Sequence, residues 1–329
     1  MTAPSPLIHP DRAPSAEGVA RAAEKVAAIL PPTPLLPLEI DGTTIWCKAE
    51  CLQPIGAFKI RGGWHRLTDL TEEQRDKGVV AFSSGNHAQG VAWAAQRLGI
   101  AATIIMPSNA PAAKMRATKA MGAGVITYDR MTGSREAMAA DIAADTGATI
   151  VPSFDDPWII EGQGSCGAEI CEQIIARTGE APDQLVACCG GGGLAAGSAL
   201  VNPDAAITVV EPQGWDDMRR SLEQGEIVPV GDNPPPTRCD ALQTLRVSPL
   251  TFGVLHDRNA SGIAVNEAEV EDAMRVAFDR LQLVLEPGGA VALAAVLAGK
   301  VPLTDRTAVT LSGGNVDPAV YAGILARGA

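Results

Sequence analysis

Lys59 has an unusual position for a lysine, inside the segment QPIGAFKIRGG at residues 53–63. Its direct neighbours are Phe58 and Ile60, and glycines lie on both sides of the segment. Lysine side chains normally stay in water. Lys59 is therefore either an exposed residue at a helix start or a desolvated amine with a lowered pKa, able to act as a nucleophile or base.

A second candidate segment is CGGGGLAAG at residues 189–197. Gly190, Gly192 and Ala195 fit the pattern G-x-G-x-x-G/A, and Glu211 follows about 20 residues later, as in dinucleotide-binding proteins. Four glycines before a helix also offer bare backbone N–H groups to any phosphate. An NAD-dependent oxidoreductase, another phosphorylated cofactor and a plain tight turn all remain open.

Two further polar segments follow predicted strands, SSGNHAQG at 83–90 and LSGGN at 311–315. The first could hold a carboxylate on its backbone N–H groups, or it could be a cluster of helix caps. His87 alone is better interpreted as a capping or packing residue than as a general base. The second segment places Ser312 at a strand end, where a simple turn is the alternative.

The elements that must position these segments alternate between strand and helix. Short apolar runs such as 78–84 and 101–107 are each followed by a helical pattern that ends at a glycine. This alternation predicts right-handed crossovers and parallel sheets, hence an α/β protein with two doubly wound lobes. Residues 229–262 are proline-rich and predict a long loop, whereas Asn266 and Glu269 predict a capping box at the next helix.

Composition excludes several classes of function. The chain has 329 residues and a formal net charge of −12, which argues against nucleic-acid binding. Its apolar runs are too short to span a bilayer, and the N-terminus resembles no secretory signal. The seven cysteines show no metal-binding spacing. They predict reduced thiols in a cytoplasmic protein.

Taken together, these motifs resemble the serine/threonine dehydratase and serine racemase family, the fold-type II pyridoxal-phosphate enzymes. The resemblance runs in the family's order from KAECLQPIGAFKIRGG through SSGNHAQG, SFDDPWIIEGQGS, CGGGGLAAG and EPGGAVALAA to LSGGNVD. It implies a tryptophan synthase beta-like architecture. A small substrate-side domain, 54–154, would be inserted in a large cofactor-binding domain formed by 1–53 and 155–329.

The resemblance also implies roles for individual residues. Lys59 would form the internal aldimine with pyridoxal phosphate, and Phe58 would flank the ring. The remaining cofactor contacts would be Asn86 on the ring hydroxyl, Ser312 at the pyridine nitrogen, Glu286 nearby, and Gly190, Gly191, Gly192, Gly193 and Leu194 on the phosphate. The substrate carboxylate would lie on Ser83, Ser84, Gly85, Asn86 and His87.

The activity implied is an ammonia-lyase that converts a β-hydroxy amino acid to a 2-oxo acid and ammonia by β-elimination. An alternative is a serine or aspartate racemase, with Lys59 and Ser84 on opposite faces of the ring. EPQGWDD at 211–217 resembles the racemase-type metal loop, with Glu211, the Trp215 carbonyl and Asp217 as ligands of Mg²⁺ or Ca²⁺. The family also implies a homodimer.

Two departures from the family's pattern bear on the substrate. The usual ADG stretch is CDALQT at 239–244, and Glu161 precedes the QGS segment where a small residue is common. Both positions are expected near the substrate. Arg135, Gln243 or Thr244 could bind a polar or acidic β-substituent of the substrate, as in 3-hydroxyaspartate.

Overall fold

The computed structural model describes residues 12–83, 85–110, 112–129 and 133–327. Its strands form two separate sheets. In chain order they are β1 Leu35–Ile40, β2 Thr43–Lys48, β3 Val79–Phe82, β4 Ala102–Pro107, β5 Gly124–Tyr128, β6 Thr149–Ile150, β7 Gln184–Cys188, β8 Ala206–Pro212, β9 Ser261–Val265 and β10 Thr307–Thr310.

The larger sheet has the strand order β1-β2-β10-β7-β8-β9. All of its neighbouring strands are parallel except β1, which pairs antiparallel with β2 at the edge. Strands β7 and β10 are buried along their whole length. Such continuous apolar strands are typical of a parallel sheet covered on both faces.

The smaller sheet has the order β5-β4-β3-β6, and all its neighbours are parallel. It uses only chain between residues 79 and 150, while the larger sheet takes strands from before and after that stretch. The predicted α/β class with two doubly wound lobes is confirmed. The domain boundaries remain a prediction.

The helices connect these strands and cover the sheets. They are α1 Ala16–Ala27, α2 Lys59–Thr68, α3 Glu72–Lys77, α4 Asn86–Leu98, α5 Ala112–Ala120, α6 Arg135–Thr146, α7 Pro157–Thr178, α8 Gly193–Val201, α9 Asp217–Gln224, α10 Pro249–Asp257, α11 Glu267–Leu281, α12 Pro287–Leu297 and α13 Pro318–Ala326, with short 3-10 turns at Glu50–Leu52 and Asp240–Leu242. Asn266 and Glu269 form the predicted capping box at α11. None of the helices described is both long and apolar enough to cross a membrane.

The prediction of a loop over residues 229–262 was wrong in its second half. That stretch contains α10 and the start of β9. Helix α10 begins with Ser248 as N-cap, whose hydroxyl accepts a hydrogen bond from the Thr251 amide, followed by Pro249. Only Thr251 and Leu255 of this nine-residue helix are buried, so its periodicity is too weak to stand out against the prolines around it.

Helix α2 is held between α4 and α7 by glycines. A Cβ added at Gly90 of α4 would lie 2.7 Å from the Lys59 carbonyl oxygen. A Cβ at Gly162 of α7 would lie 2.6 Å from the Cα of Gly62. The backbones therefore approach more closely than any side chain allows, and this fixes the helix that begins with Lys59.

Candidate active site

A cavity of about 540 Å³ lies where the loops of the two sheets meet. It brings together most of the residues predicted from the sequence. Those lining it are Phe58, Lys59, Ser83, Gly85, Asn86, His87, Arg135, Gly190, Gly191, Gly192, Gly193, Leu194, Thr244, Glu286 and Ser312. Ser84 lies outside the described residues.

The amine of Lys59 lies at the base of this cavity. Its Nζ donates a hydrogen bond to the Ser153 carbonyl oxygen at 2.8 Å and lies 5.0 Å from the centre of the Phe58 ring. Burial lowers the pKa of Lys59 to about 8, and the Cys188 side chain opposes that shift. A substantial fraction of the amine is therefore neutral near pH 8, which is the state that a nucleophile or a base needs.

The glycine segment forms a bare cradle in front of α8. Gly192 has a φ of 86°, and no side chain caps the first turn of the helix. A Cβ at Gly191 would lie 2.0 Å from the Phe154 ring, and one at Gly190 would lie 3.0 Å from the Thr244 hydroxyl. The backbone N–H groups at the start of α8 are thus open to a ligand, an arrangement that fits a phosphate group.

Another part of the cavity lining carries neutral and acidic polar groups. Asn86 Nδ2 donates to Glu286 Oε1 at 2.5 Å. Glu286 Oε2 is buried and has no hydrogen-bond partner among the described residues. Ser312 is buried and its hydroxyl lies beside the Cys188 thiol, where it lowers the thiol pKa against the larger effect of burial. An amine, a phosphate cradle and a buried hydroxyl facing one cavity fit pyridoxal phosphate.

His87 is a packing residue and not a base. Its Nε2 lies 2.9 Å from the Val151 carbonyl oxygen and so carries the proton. Burial first, and then the positive charge of Lys59, lower its pKa to about 3. The imidazole is therefore neutral at physiological pH.

Several residues that line the cavity were not assigned a role from the sequence. They are Phe82, Lys114, Glu136, Phe154, Asp155, Cys188, Asp240 and Arg246. Lys114 reaches Asp240 across the cavity at 2.7 Å, and Arg135 pairs with its neighbour Glu136 at 2.8 Å. The unusual segment CDALQT correctly indicated part of the cavity lining, because its residues 240–244 do line the cavity.

Glu161 was also expected near the substrate, and this expectation was wrong. It does not line the cavity. Its buried carboxylate pairs with Arg12 and accepts a hydrogen bond from the Ser15 amide at 3.1 Å. Glu161 therefore stabilises the segment before α1 and does not contact the substrate cavity.

The predicted metal ligands form a separate acidic site behind the cavity. The Glu211 carboxylate lies at the start of α9 and accepts hydrogen bonds from the Met218 and Arg219 amides at 3.1 and 2.8 Å. Both carboxylate oxygens of Asp217 are buried without a hydrogen bond from the described residues. Burial raises the pKa of Asp217 to about 7, against a smaller opposing effect of the Asp217 and Val247 amides, and raises that of Glu211 well above its usual range.

Trp215 is buried between these two acids in the chain, and its indole donates to the Pro235 carbonyl at 2.8 Å. No three metal-binding His, Cys, Asp or Glu side chains cluster anywhere among the described residues. Glu211 does not line the cavity, and its carboxylate is hydrogen-bonded to the amides at the start of α9. It therefore does not occupy the place that a ribose-binding acid takes in the dinucleotide interpretation.

Comparison with known proteins decides between the cofactors. A family model described as pyridoxal-phosphate dependent enzyme matches residues 26–313. The chain belongs to this family. Pyridoxal phosphate is therefore its cofactor.

Relatives cover almost the whole chain. Serine racemase of Schizosaccharomyces pombe is 38% identical over 323 residues, which are 95% of this chain and 98% of the relative. L-threo-3-hydroxyaspartate ammonia-lyase of Pseudomonas sp is 39% identical over 316 residues, 93% and 97% of the two chains. The crystal structure of T.th. threonine deaminase superimposes with a TM-score of 0.84 at 39% identity, covering 92% of this chain and 99% of that one. These similarities confirm the fold-type II architecture.

Proposed function

We propose that this protein is a pyridoxal-phosphate-dependent ammonia-lyase that releases ammonia and a 2-oxo acid from a β-hydroxy amino acid. The observation that carries the proposal is the amine of Lys59, whose pKa burial lowers to about 8, in one cavity with the uncapped glycine cradle. Pyridoxal phosphate supplies an aldehyde that accepts amines and a ring that draws electrons from the substrate Cα. Lys59 then serves as the amine that holds the cofactor and as the base for the Cα proton.

The remaining cofactor contacts follow from the cavity lining. The amides of Gly190 to Gly193 and Leu194 would hold the phosphate, because the start of α8 offers them without a competing side chain. Phe58 would lie against the ring. Asn86, Glu286 and Ser312 would surround the polar edge of the ring, since all three line the cavity.

The substrate carboxylate would bind at the start of α4. Gly85 precedes this helix, and no side chain caps its first turn. Ser83 and His87 flank the same turn, and Ser83 Oγ accepts a hydrogen bond from the Gly85 amide at 3.2 Å. Backbone donors at a helix start hold an anion without a full positive charge, so the α-carboxylate would be fixed while Lys59 faces the Cα.

An acidic β-substituent is supported by the charges around the cavity. Lys114, Arg135 and Arg246 all line it, and Thr244 adds a hydroxyl. Lys114 and Arg135 already pair with acids. Relatives named L-threo-3-hydroxyaspartate ammonia-lyase at 38–39% identity point the same way. We therefore place 3-hydroxyaspartate first among the candidate substrates, before serine and threonine.

The decisive assay measures keto acid and chirality together. Purified holoenzyme is incubated with L-serine, L-threonine and the 3-hydroxyaspartate stereoisomers. The proposal expects a yellow protein that forms keto acid and loses both colour and activity in Lys59→Ala. Lys119→Ala, an exposed lysine away from the cavity, should leave both unchanged. A colourless protein that binds NAD would refute the proposal.

Racemisation is the second candidate, favoured by the serine racemase relative at 38% identity. It needs a second proton donor on the face opposite Lys59, and Ser84 is the residue that the sequence offers. D-serine or D-aspartate accumulating without keto acid would favour it. Ser84→Ala should then abolish racemisation but spare elimination from the L-enantiomer, whereas equal loss of both activities would contradict the two-face assignment.

We also propose a divalent cation bound by Glu211, Asp217 and the Trp215 carbonyl. The support is the buried Asp217 carboxylate, whose two oxygens lack partners among the described residues. A buried charge without a partner is costly, and oxygen ligands suit Mg²⁺ or Ca²⁺. EDTA should lower the melting temperature, and either cation should restore it. No shift with EDTA, together with no metal by elemental analysis, would remove the site.

A homodimer in the cytoplasm completes the proposal. Four exposed apolar side chains lie on segments that contact one another, and we take them as one patch, defined here as Leu52, Phe278, Val284 and Val320. Phe278 packs edge-on against Tyr321, which follows Val320 in α13. A patch of this kind favours a protein interface. Light scattering should give twice the chain mass, and Phe278→Glu should give the monomer.

A further inference from the structure

A chain of hydrogen bonds joins three separate segments along the wall of the cavity. Asn315, five residues after β10, donates from Nδ2 to Asn86 Oδ1 at 2.8 Å. Asn86, the first residue of α4, donates in turn from its own Nδ2 to Glu286 Oε1 at 2.5 Å. Glu286 is the N-cap of α12. This series of hydrogen bonds therefore links the loop that contains Ser312 to Asn86, the residue expected to hydrogen-bond the cofactor hydroxyl.

The direction of the Asn86 amide is determined by these contacts. Asn315 Nδ2 also donates to the Ile55 carbonyl oxygen at 2.8 Å, so both of its protons are used. If the Asn86 amide were rotated by 180°, its NH₂ group would face the Asn315 NH₂ group and its oxygen would face Glu286. Both contacts would be repulsive. Asn86 is thus left with one N–H that is free to point into the cavity.

Glu286 is held against the backbone at this point. Its side chain lies on Gly313, where an added Cβ would be 2.2 Å from Oε1. It is 2% exposed, and its second oxygen has no hydrogen-bond partner among the described residues. A buried carboxyl that is half-satisfied is costly to keep.

The groups around Glu286 decide its charge. Burial is the largest effect and raises the pKa of Glu286 to about 7. The hydrogen bond from Asn86 opposes that shift, Asp240 adds to it, and Lys114 opposes it. The neighbouring thiols of Cys51, Cys188 and Cys239 are neutral, because burial raises their pKa values above the physiological range. Glu286 therefore changes charge near neutral pH, at a lower pH than the Lys59 amine, whose pKa is about 8.

We propose that Glu286 and Asn315 are positioning residues that clamp the Asn86 amide, so that its free N–H is aimed at the cofactor site. The inference rests on the proposed cofactor site for its activity readout only. Above neutral pH the carboxylate accepts firmly from Asn86. Below it the protonated carboxyl is a weaker acceptor and can itself donate, so the clamp loosens and the reaction slows.

The first test follows Asn86 directly in the full-length, cofactor-free protein. The side-chain amide resonance of Asn86 is recorded by ¹⁵N NMR as a function of pH. It should titrate with a midpoint near the pKa of about 7 for Glu286. In Glu286→Gln the side-chain oxygen can still accept from Asn86, and the titration should vanish. A titration that persists in Glu286→Gln would overturn the proposal.

The second test uses the pH dependence of kcat in the holoenzyme. Glu286→Gln should lower kcat by about threefold to tenfold, because a charged acceptor is replaced by a neutral one. It should also remove the decline in kcat below neutral pH. Asn315→Leu should lower kcat by about tenfold or more with KM little changed, since Asn86 can then rotate. An acid limb unchanged in Glu286→Gln would contradict the clamp.

Asn202→Leu is the matched control for the loss of a buried asparagine. Asn202 donates to the Gly167 and Ser198 carbonyl oxygens and does not line the cavity. It should lower the melting temperature but leave kcat per cofactor-loaded subunit unchanged. Equal effects of Asn202→Leu and Asn315→Leu on kcat would reduce Asn315 to a stability role and refute the positioning role. If no amino acid yields a keto acid, the proposed function fails, while the NMR titration still decides the clamp.

Discussion

Arg61 offers a sharp test of how the Lys59 helix is held, because it is fully buried two residues after Lys59. Its Nε and Nη2 donate to the two oxygens of Glu50, both at 2.7 Å. Its Nη1 and Nη2 donate to the two oxygens of Glu169, both at 2.8 Å. One guanidinium thus joins α2 to the turn after β2 and to α7. Lys48 completes the cluster at 2.7 Å from Glu169.

Replacing Arg61 by methionine removes the four hydrogen bonds to carboxylates and a fifth to the Ser165 hydroxyl at 3.1 Å. It also leaves Glu50 without a cation in contact. Glu50 keeps only the Thr33 hydroxyl at 2.6 Å and the Gln53 amide at 3.3 Å. Breaking a buried pair in this way costs about 3–5 kcal/mol. The pKa of Glu50 gives an independent figure, since its fall from 4.5 to about 2 corresponds to about 3 kcal/mol. We therefore expect Arg61→Met to lower the free energy of unfolding by about 3–5 kcal/mol.

The pH dependence follows from the same shift. Because the folded pKa of Glu50 is lowered, its contribution is fully present above the unfolded value of 4.5 and is lost as pH falls toward 2. Urea denaturation of the wild type and of Arg61→Met should therefore give a large difference at pH 7. The difference should shrink between pH 4.5 and pH 2.

A double mutant separates the ion pair from general damage to the core. In Arg61→Met/Glu50→Gln the buried charge is gone, so the second change should recover about 2 kcal/mol of the loss. Arg66→Met is the control on the same helix, because Arg66 pairs with Asp156 at 2.9 Å on a less buried site. Additive effects of the Arg61 and Glu50 changes, or a loss below about 1 kcal/mol in Arg61→Met, would refute the reasoning.

Three further outcomes are expected. Gly191→Ala should weaken cofactor binding, measured by dialysis and absorbance, since its Cβ would meet the Phe154 ring at 2.0 Å. Such overpacking costs about 1–3 kcal/mol. The control variant Gly253→Ala, whose Cβ would lie in open space, should bind the cofactor normally. Asp217→Asn should raise the metal-free melting temperature at pH 8, because the raised pKa of about 7 means that the ionised form destabilises the fold at higher pH. The same change should abolish stabilisation by Mg²⁺ or Ca²⁺, and an unchanged cation response would contradict the site. In the cofactor-free protein, Lys59 should react with an amine reagent with a midpoint near pH 8, and a midpoint near that of a surface lysine would show that it is solvated.

The parts of the site that could be predicted were those with a local signal. Two candidate functional segments could be recognised from a few neighbouring residues: Lys59 between Phe58 and Ile60, and the four glycines before a helix. Each lies at the end of a strand or the start of a helix in the structure, as open α/β sheets require. The strand and helix alternation made the fold class predictable for the same reason.

The parts that could not be predicted depend on pairs far apart in the chain. Arg61 and Glu169 are 108 positions apart, and Asn86 and Glu286 are 200 apart. Glu161 shows the converse error, because a motif placed it near the substrate while the fold turned its carboxylate toward Arg12. The spacing of residues in a single sequence does not predict which face of a long helix contacts which neighbouring element. The start of α10 did carry a local signal, Ser248 followed by a proline, which is a usual helix beginning.

The close contact of α2 with α4 explains how Lys59, which is half-buried at the cavity, is accurately placed. Helix α2 begins with Lys59 and α4 begins with Asn86, and both residues line the cavity. The Lys59 carbonyl lies where a Cβ of Gly90 would be, so the two helices touch through their backbones. A backbone contact has no side-chain torsions to relax, and the distance between the two helix starts is therefore rigid. The starts of the two helices are in this way fixed by Gly63 and Gly90, since an added Cβ at either would lie 2.7 Å from a backbone oxygen of the other helix.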